Sequence, residues 1–222
     1  MDEAVQRESK NVRENAGVLD GSTLGKIEIK GKDALAFMNL IYTNSFSKMK
    51  PGSSRYALML GEDGMVKDDG IICKISDEHF IATTTTGGAA TVLGCMEEYA
   101  QTEWPNLNVY MNSITEQYAT FNISGPKTRN IIEKVFPEVN FSNEAFPFMT
   151  FQFHEYEDTP IRILRASFTG EMGYEIYVPS NQALKIWEKI ISFGKEFGLM
   201  PYGTETMHLL RAEKGYIIVG QD

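Results

Sequence analysis

A chain of 222 residues, 42% hydrophobic and 23% charged, is long enough for one large domain or two small ones with a real core. Its formal net charge of −9 argues against a groove for nucleic acid, and no apolar run approaches the roughly 18 residues of a membrane span. The start M-D-E-A-V-Q-R-E-S-K is charged throughout and unlike a secretory signal, so a cytoplasmic protein without nucleic-acid or membrane partners is expected.

Residues 3–16, rich in Glu, Arg, Lys and Asn, read as a mostly exposed helix ended by Gly17. V-L-D-G-S-T reads as a turn that leads into a strand over 24–30. Asp33 opens a helix with Ala34, Phe37, Met38 and Ile41 at helical spacing. After a polar loop, residues 56–86 predict three strands, 56–60, 65–75 and 79–86, separated by turns at Glu62-Asp63-Gly64 and Ser76-Asp77-Glu78. Gly87-Gly88 introduces a helix over 89–101, and strands are expected over 107–111 and 117–123. Gly125-Pro126 starts another helix running to Phe136. Strands over 148–153, 161–167 and 174–178 precede a helix from Ser180, read as its N-cap, to Phe197. A short helix over 204–212 leads to a last strand, 216–219, before Gly220-Gln221-Asp222. An apolar strand followed by Gly-Gln-Asp is an unusual finish for a domain and points to a fragment. The order predicts an α+β fold with antiparallel sheets, packed helices and duplicated strand-helix units.

The middle of the three-strand segment carries the chemistry. Asp68 and Asp69 sit mid-strand, where acids are scarce, and strand alternation sends them to opposite faces. One can meet solvent or a turn; the other must be hydrogen-bonded, paired or held for chemistry. Cys73 and Cys95 lack C-x-x-C spacing and read as reduced core residues. His79, His154 and His208 are isolated, so no zinc site is expected. The chain has no G-x-G-x-x-G, no Walker loop and no G-x-S-x-G, which removes the usual support for a dinucleotide, triphosphate or serine-hydrolase site.

Six blocks in order, V-L-D-G-S-T-L-G (18–25), T-N (43–44), D-G-M-V-K-D-D-G (63–70), S-G-P-K (124–127), T-G-E-M-G-Y-E (169–175) and the terminal G-Q-D, resemble the aminomethyltransferase family. That family includes the glycine cleavage T-protein; the branch most like this chain is the C-terminal half of the sarcosine oxidase α subunit. The resemblance covers roughly residues 5–222. It implies a tetrahydrofolate-binding fold, here without the family's C-terminal barrel, with no flavin or NAD site of its own and with flavin-bearing oxidase subunits as partners. It also implies a discontinuous first folate-binding subdomain, 1–30 and 115–222, and a second, 31–114, carrying the Asp68-Asp69 strand.

By the same resemblance, Asp69 matches the acid near the folate nitrogens and is the expected catalytic residue. Glu175 matches the glutamate that reads the pterin edge, whose two parallel donors suit a carboxylate. Tyr56, Phe168, Thr83, Thr84 and Thr85 match cofactor-binding positions along the cavity. The implied reaction captures the methylene of an imine from sarcosine oxidation, giving methylenetetrahydrofolate and glycine. A stand-alone aminomethyltransferase, a folate-dependent demethylase and a non-catalytic folate-binding or assembly module are the rival readings. Two departures from the T-protein pattern stand out. Phe168 replaces a tyrosine, and the stretch after Pro201-Tyr202-Gly203 lacks the expected arginine, so an anionic part of folate must find its cations elsewhere.

Overall fold

The computed structural model describes residues 2–222, and the chain divides into two compact units. Unit 1 comprises Met1–Ser22 and Gln117–Ile218; unit 2 comprises Thr23–Glu116 and Val219–Asp222. Unit 1 opens with α1 (Glu3–Glu14) and β1 (Ala16–Asp20). Unit 2 follows with β2 (Gly25–Lys30), α2 (Ala34–Ile41), β3 (Ser54–Leu60), β4 (Val66–Ser76), β5 (His79–Thr84), α3 (Ala89–Thr102) and β6 (Tyr110–Ser113). The chain returns to unit 1 for β7 (Tyr118–Ser124), α4 (Thr128–Val135), β8 (Phe151–Tyr156), β9 (Thr159–Leu164) and β10 (Gly173–Pro179). It ends with α5 (Ala183–Gly194), β11 (Leu199–Pro201) and α6 (Thr204–Lys214). This is an α+β fold. No helix among the described residues is long and apolar enough to cross a membrane.

Unit 2 is a five-stranded antiparallel sheet in the order β3-β4-β5-β2-β6. Alternate residues of its strands, Ile27, Ile29, Ala57, Met59, Ile72, Phe80 and Ala82, form one apolar face. Phe37 and Met38 of α2 and Val92 and Met96 of α3 pack onto it. Each such side chain contributes about 1.5–3 kcal/mol on burial, which fixes the strand register, because a one-residue slip would expose the whole set.

Unit 1 has a six-stranded sheet in the order β11-β1-β7-β10-β9-β8, antiparallel except for the parallel β1–β11 pair. Ile131, Ile132 and Val135 of α4 and Ile186 and Ile190 of α5 cover Val18, Phe121, Ile123, Ile163, Ile176 and Val178. Tyr174 meets Phe141 and Phe146 edge-on, with centroids 5.4 and 5.7 Å away. A smaller cluster joins Val12 of α1 to Leu210 of α6 and to Tyr202.

Three expectations change. The Val18-Leu19 stretch lies in a strand, since Gly17 belongs to β1 and α1 ends earlier, at Glu14, with Asn15 as its C-cap. Gly17 is needed there for close packing: a Cβ would lie 2.5 Å from Val12 and 2.6 Å from Tyr202. Ser180 opens a short 3-10 turn, and the N-cap of α5 is Gln182, without a side-chain cap bond. Residues 216–219 form no strand, because Gly215 at φ 89° closes α6 and turns follow. β2 pairs with β5 and β6 in the sheet of unit 2.

Gly70 in β4 marks the tightest backbone approach in unit 2: a Cβ there would lie 1.9 Å from the Thr83 carbonyl oxygen of β5. Gly70→Ala is therefore expected to cost at least about 2 kcal/mol, read as a lower urea midpoint, and an unchanged midpoint would show slack between these strands.

Candidate functional site

The pleat of β4 separates the paired acids. Asp68 stands opposite Met59 and Asp69 opposite Leu58, so they occupy different faces. Asp68 is 2% exposed, on the side covered by the helices. Its carboxylate oxygens lie 3.3 and 3.4 Å from the Thr85 backbone N–H. Gly88, the N-cap of α3, leaves room for it: a Cβ would lie 2.6 Å from Asp68 Oδ2. The carboxylate thus sits at a helix N-terminus, where the partial positive charge favours an anion. Burial raises its pKa, and hydrogen bonds from Thr85 and the Asp69 backbone pull it back. These partners account for Asp68 without any ligand.

Asp69 shares the other face with Tyr56, Ile71 and Thr83. The Tyr56 hydroxyl donates to Asp69 Oδ2 at 2.7 Å. Burial raises the Asp69 pKa, the Tyr56 bond lowers it, and the charge of Asp68 raises it again. The Tyr56 hydroxyl is held well above its ordinary range by burial and then by the Asp69 bond, so phenol donor and carboxylate acceptor are firmly assigned. Thr83 uses its hydroxyl to accept from the Ile71 backbone N–H at 2.8 Å. Thr84 is buried, and its hydroxyl donates to the Thr85 carbonyl at 2.8 Å. Thr85 accepts from the Gly88 N–H at 3.0 Å, fixing the turn into α3.

In unit 1, β10 places Glu175 opposite Asn122 of β7 and Leu164 of β9. The Tyr177 hydroxyl donates to Glu175 Oε2, and the Arg162 guanidinium lies 4.0 Å over the Tyr177 ring. Glu175 borders a small hollow of about 10 Å³, room for little more than a water-sized group, whose other walls include Leu19, Asn122, Phe168, Tyr202 and Met207. Asn122 Oδ1 is buried with no hydrogen-bond partner among the described residues. Burial pushes the Tyr202 hydroxyl up to about 12; the Glu175 charge adds to this, and a bond with Ser124 opposes it.

Phe168 stacks nearly parallel on Tyr216, with centroids 6.0 Å apart and planes at 12°. The turn after Phe168 is pinned from α1. Arg13 donates to the Thr169 carbonyl at 2.6 Å and to Glu171 at 3.1 Å, and reaches Glu213 at 2.7 Å. A carboxylate and an orphaned amide oxygen between apolar and aromatic walls can accept from a flat heteroaromatic ring that presents N–H groups. The structure therefore brings Tyr56, Asp69 and Thr83 onto one sheet face of unit 2, and Glu175 and Phe168 into one hollow of unit 1. Asn122 and Tyr202 were missed in the sequence. Asn122 carries the signal that marked the acids, a polar residue inside an apolar strand (Y-A-T-F-N-I-S); Tyr202 has no comparable signal.

Residues 1–222 match the GCVT N-terminal domain family. The sarcosine oxidase subunit alpha of Corynebacterium sp. (strain U-96) is 52% identical over 223 residues, covering all of this chain and 23% of that protein. The subunit alpha of Rhizobium meliloti (strain 1021) is 44% identical over 97% of this chain and 22% of its own length. An aminomethyltransferase of Thermoanaerobacter pseudethanolicus is 32% identical, over 99% of this chain and 58% of that protein. The chain thus spans under a quarter of the α subunits and 58% of that aminomethyltransferase. Among solved structures, glycine cleavage system aminomethyltransferase T from Bartonella henselae superposes with a TM-score of 0.82. It is 24% identical, over 96% of this chain and 55% of that one. A chain of the heterotetrameric sarcosine oxidase from Corynebacterium sp. U-96 gives 0.62 at 11% identity, over 88% and 92%. At these identities the likeness is one of fold.

Both acids of β4 have folded-state pKa values above the ordinary 3.8, so the folded protein binds more protons than the unfolded chain just above that value. Their contribution to stability is full below 3.8 and is lost as pH rises through the raised values. Asp68→Asn keeps an acceptor for Thr85 and removes its share of that loss, so urea unfolding from pH 4 to 7 should show a flatter profile than wild type. Tyr56→Phe removes a bond that lowers the Asp69 pKa, so the Asp69 carboxyl should titrate at higher pH by NMR; an unmoved titration would deny the bond.

Proposed function

The chain belongs to the GCVT N-terminal domain family, and we propose that it is the tetrahydrofolate-binding, one-carbon transfer region of a sarcosine oxidase α subunit. The observation that carries the folate reading is the hollow at Glu175, where a fixed carboxylate and an unpartnered buried amide oxygen lie between apolar walls. The 52% identity to an α subunit over the whole chain supports the oxidase branch over a T-protein.

Tetrahydrofolate, when bound, supplies the two nitrogens that take up the methylene of an imine made from sarcosine on a flavin-bearing subunit, so that methylenetetrahydrofolate and glycine are formed. The residues of this chain then have distinct tasks. Tyr177 holds Glu175 Oε2 and so fixes the carboxylate plane that accepts the amino and ring N–H edge of the pterin. Asn122 Oδ1 gains a donor it otherwise lacks. Phe168, backed by Tyr216, offers a ring face, and Leu19 and Met207 exclude water.

Asp69 stabilises positive charge that develops at the reacting nitrogen and accepts the proton that leaves it. Tyr56 keeps Asp69 oriented and, as a neutral donor, preserves its negative charge. Thr83 stands on the same face, and Thr84 and Thr85 hold the strand end beside it. Partial burial of Asp69 raises its pKa toward a range useful for proton transfer.

Calorimetric titration with folinic acid should show Glu175→Ala binding at least about tenfold more weakly, the loss of one charge-assisted hydrogen bond. Equal affinity would remove the pterin role. Asp69→Asn should bind folinic acid within about threefold of wild type while methylene transfer in the complete oxidase assembly falls by about 10²–10⁴. Unchanged transfer would take Asp69 out of the chemistry.

A further inference from the structure

On the face of the unit 1 sheet turned away from α4 and α5, Arg162 of β9, Tyr177 of β10 and Thr120 of β7 stand side by side in register. Glu175 lies on the same face, two residues from Tyr177, because strand alternation sends Ile176 and Val178 toward the helices. Arg162 is 5% exposed and Tyr177 1%. A cation so far withdrawn from water normally faces a carboxylate. Arg162 has none: no ion pair among the described residues includes it, and its Nε is buried without a hydrogen-bond partner.

What Arg162 has is an aromatic face, with its guanidinium carbon 4.0 Å from the centroid of the Tyr177 ring. For packing alone this is a costly choice, since an apolar side chain of similar volume fills such a space without desolvating a charge. A guanidinium over a tyrosine ring draws on its electron density, which makes the phenol O–H a stronger donor. That O–H is the one given to Glu175 Oε2. Arg162 is not among the walls of the Glu175 hollow, so it touches no group held there. Asn122 and the Tyr202 hydroxyl border the same hollow, and both are neutral.

We infer that Arg162 is a positioning residue for Glu175, acting through Tyr177: the guanidinium holds the ring and strengthens the hydroxyl that fixes one carboxylate oxygen. The inference rests on the folate reading above for the ligand that Glu175 meets. It deepens that reading by adding the residue that sets the orientation and acceptor strength of the carboxylate.

Two measurements on the full chain test it: the Glu175 carboxyl titration by NMR, which needs no ligand, and calorimetry with folinic acid. A weaker donor stabilises the carboxylate less, so Glu175 in Arg162→Met should titrate at higher pH, its acid dissociation constant at least about threefold smaller. Folinic acid should bind about three- to tenfold more weakly. In the Tyr177→Phe background the same Arg162→Met change should move neither reading. That dependence separates positioning from direct attraction between the two charges, which needs no phenol. It also separates positioning from lost packing, which lowers the urea midpoint in both backgrounds alike. Arg162→Lys keeps a cation but loses the planar fork, and it serves where Arg162→Met does not fold. It should move the Glu175 titration the same way by less, again only when the Tyr177 hydroxyl is present. An unmoved titration, or equal movement with and without that hydroxyl, overturns the positioning role and leaves the pterin site to its own test. A Tyr177-dependent titration in a protein that binds no folinic acid supports the positioning role and removes the folate reading.

Discussion

The arrangement of unit 2 depends on one constraint: two neighbouring carboxylates in a central strand cannot share an environment. The pleat sends Asp68 to the helix-covered face and Asp69 to the other, and desolvation then demands a separate solution for each. For Asp68 the solution is the N-terminus of α3, brought close by Gly88 and tied by the Thr85 N–H. For Asp69 it is a single phenol, Tyr56. The inner acid fixes where α3 begins, and that position in turn holds the end of β5. The outer acid is thereby presented on a rigid sheet instead of a loop, which limits its freedom to the rotation about its own side chain.

Unit 1 uses a related device. Glu175 also accepts from a tyrosine hydroxyl, that of Tyr177, whose ring is in turn covered by the Arg162 guanidinium. A neutral phenol orients a carboxylate without cancelling its charge, so the acid still attracts donors or stabilises a cation. A lysine or arginine in the same place would orient it equally well and spend that charge. Arg13 works at a distance from the hollow: it ties the Thr169–Glu171 turn to α1 and α6 and so determines where Phe168 stands.

Family membership and local geometry carry different parts of the functional argument. The match over residues 1–222 establishes the family, and the superposition on aminomethyltransferase T of Bartonella henselae is a likeness of fold. The distinction between acids comes from burial and hydrogen bonding alone. Asp68 is explained by structural partners, whereas Asn122 has an acceptor atom that nothing among the described residues satisfies. The latter is the kind of atom a ligand completes.

Much of this was legible in the residues. Helical spacing around Phe37, Leu93 and Ile190 located α2, α3 and α5, and the turns at Gly64 and Asp77 separated β3, β4 and β5, because periodicity and turn chemistry are local properties. Alternation alone required Asp68 and Asp69 to part. Which of them faced the core was decided only by tertiary packing, through the arrival of α3 from more than fifteen residues along the chain. The short strands β1 and β11 were hidden for the same reason: Gly17 and Pro201 discourage a strand locally, and their pairing depends on partners, Ser124 and Leu199–Pro201, that sequence order keeps far apart. Tyr202 likewise has an ordinary local sequence, and Asn122 shows only as a polar residue inside an apolar strand. Their significance lies in what surrounds them, and burial, charge pairing and hydrogen-bond satisfaction exist only once distant segments have met.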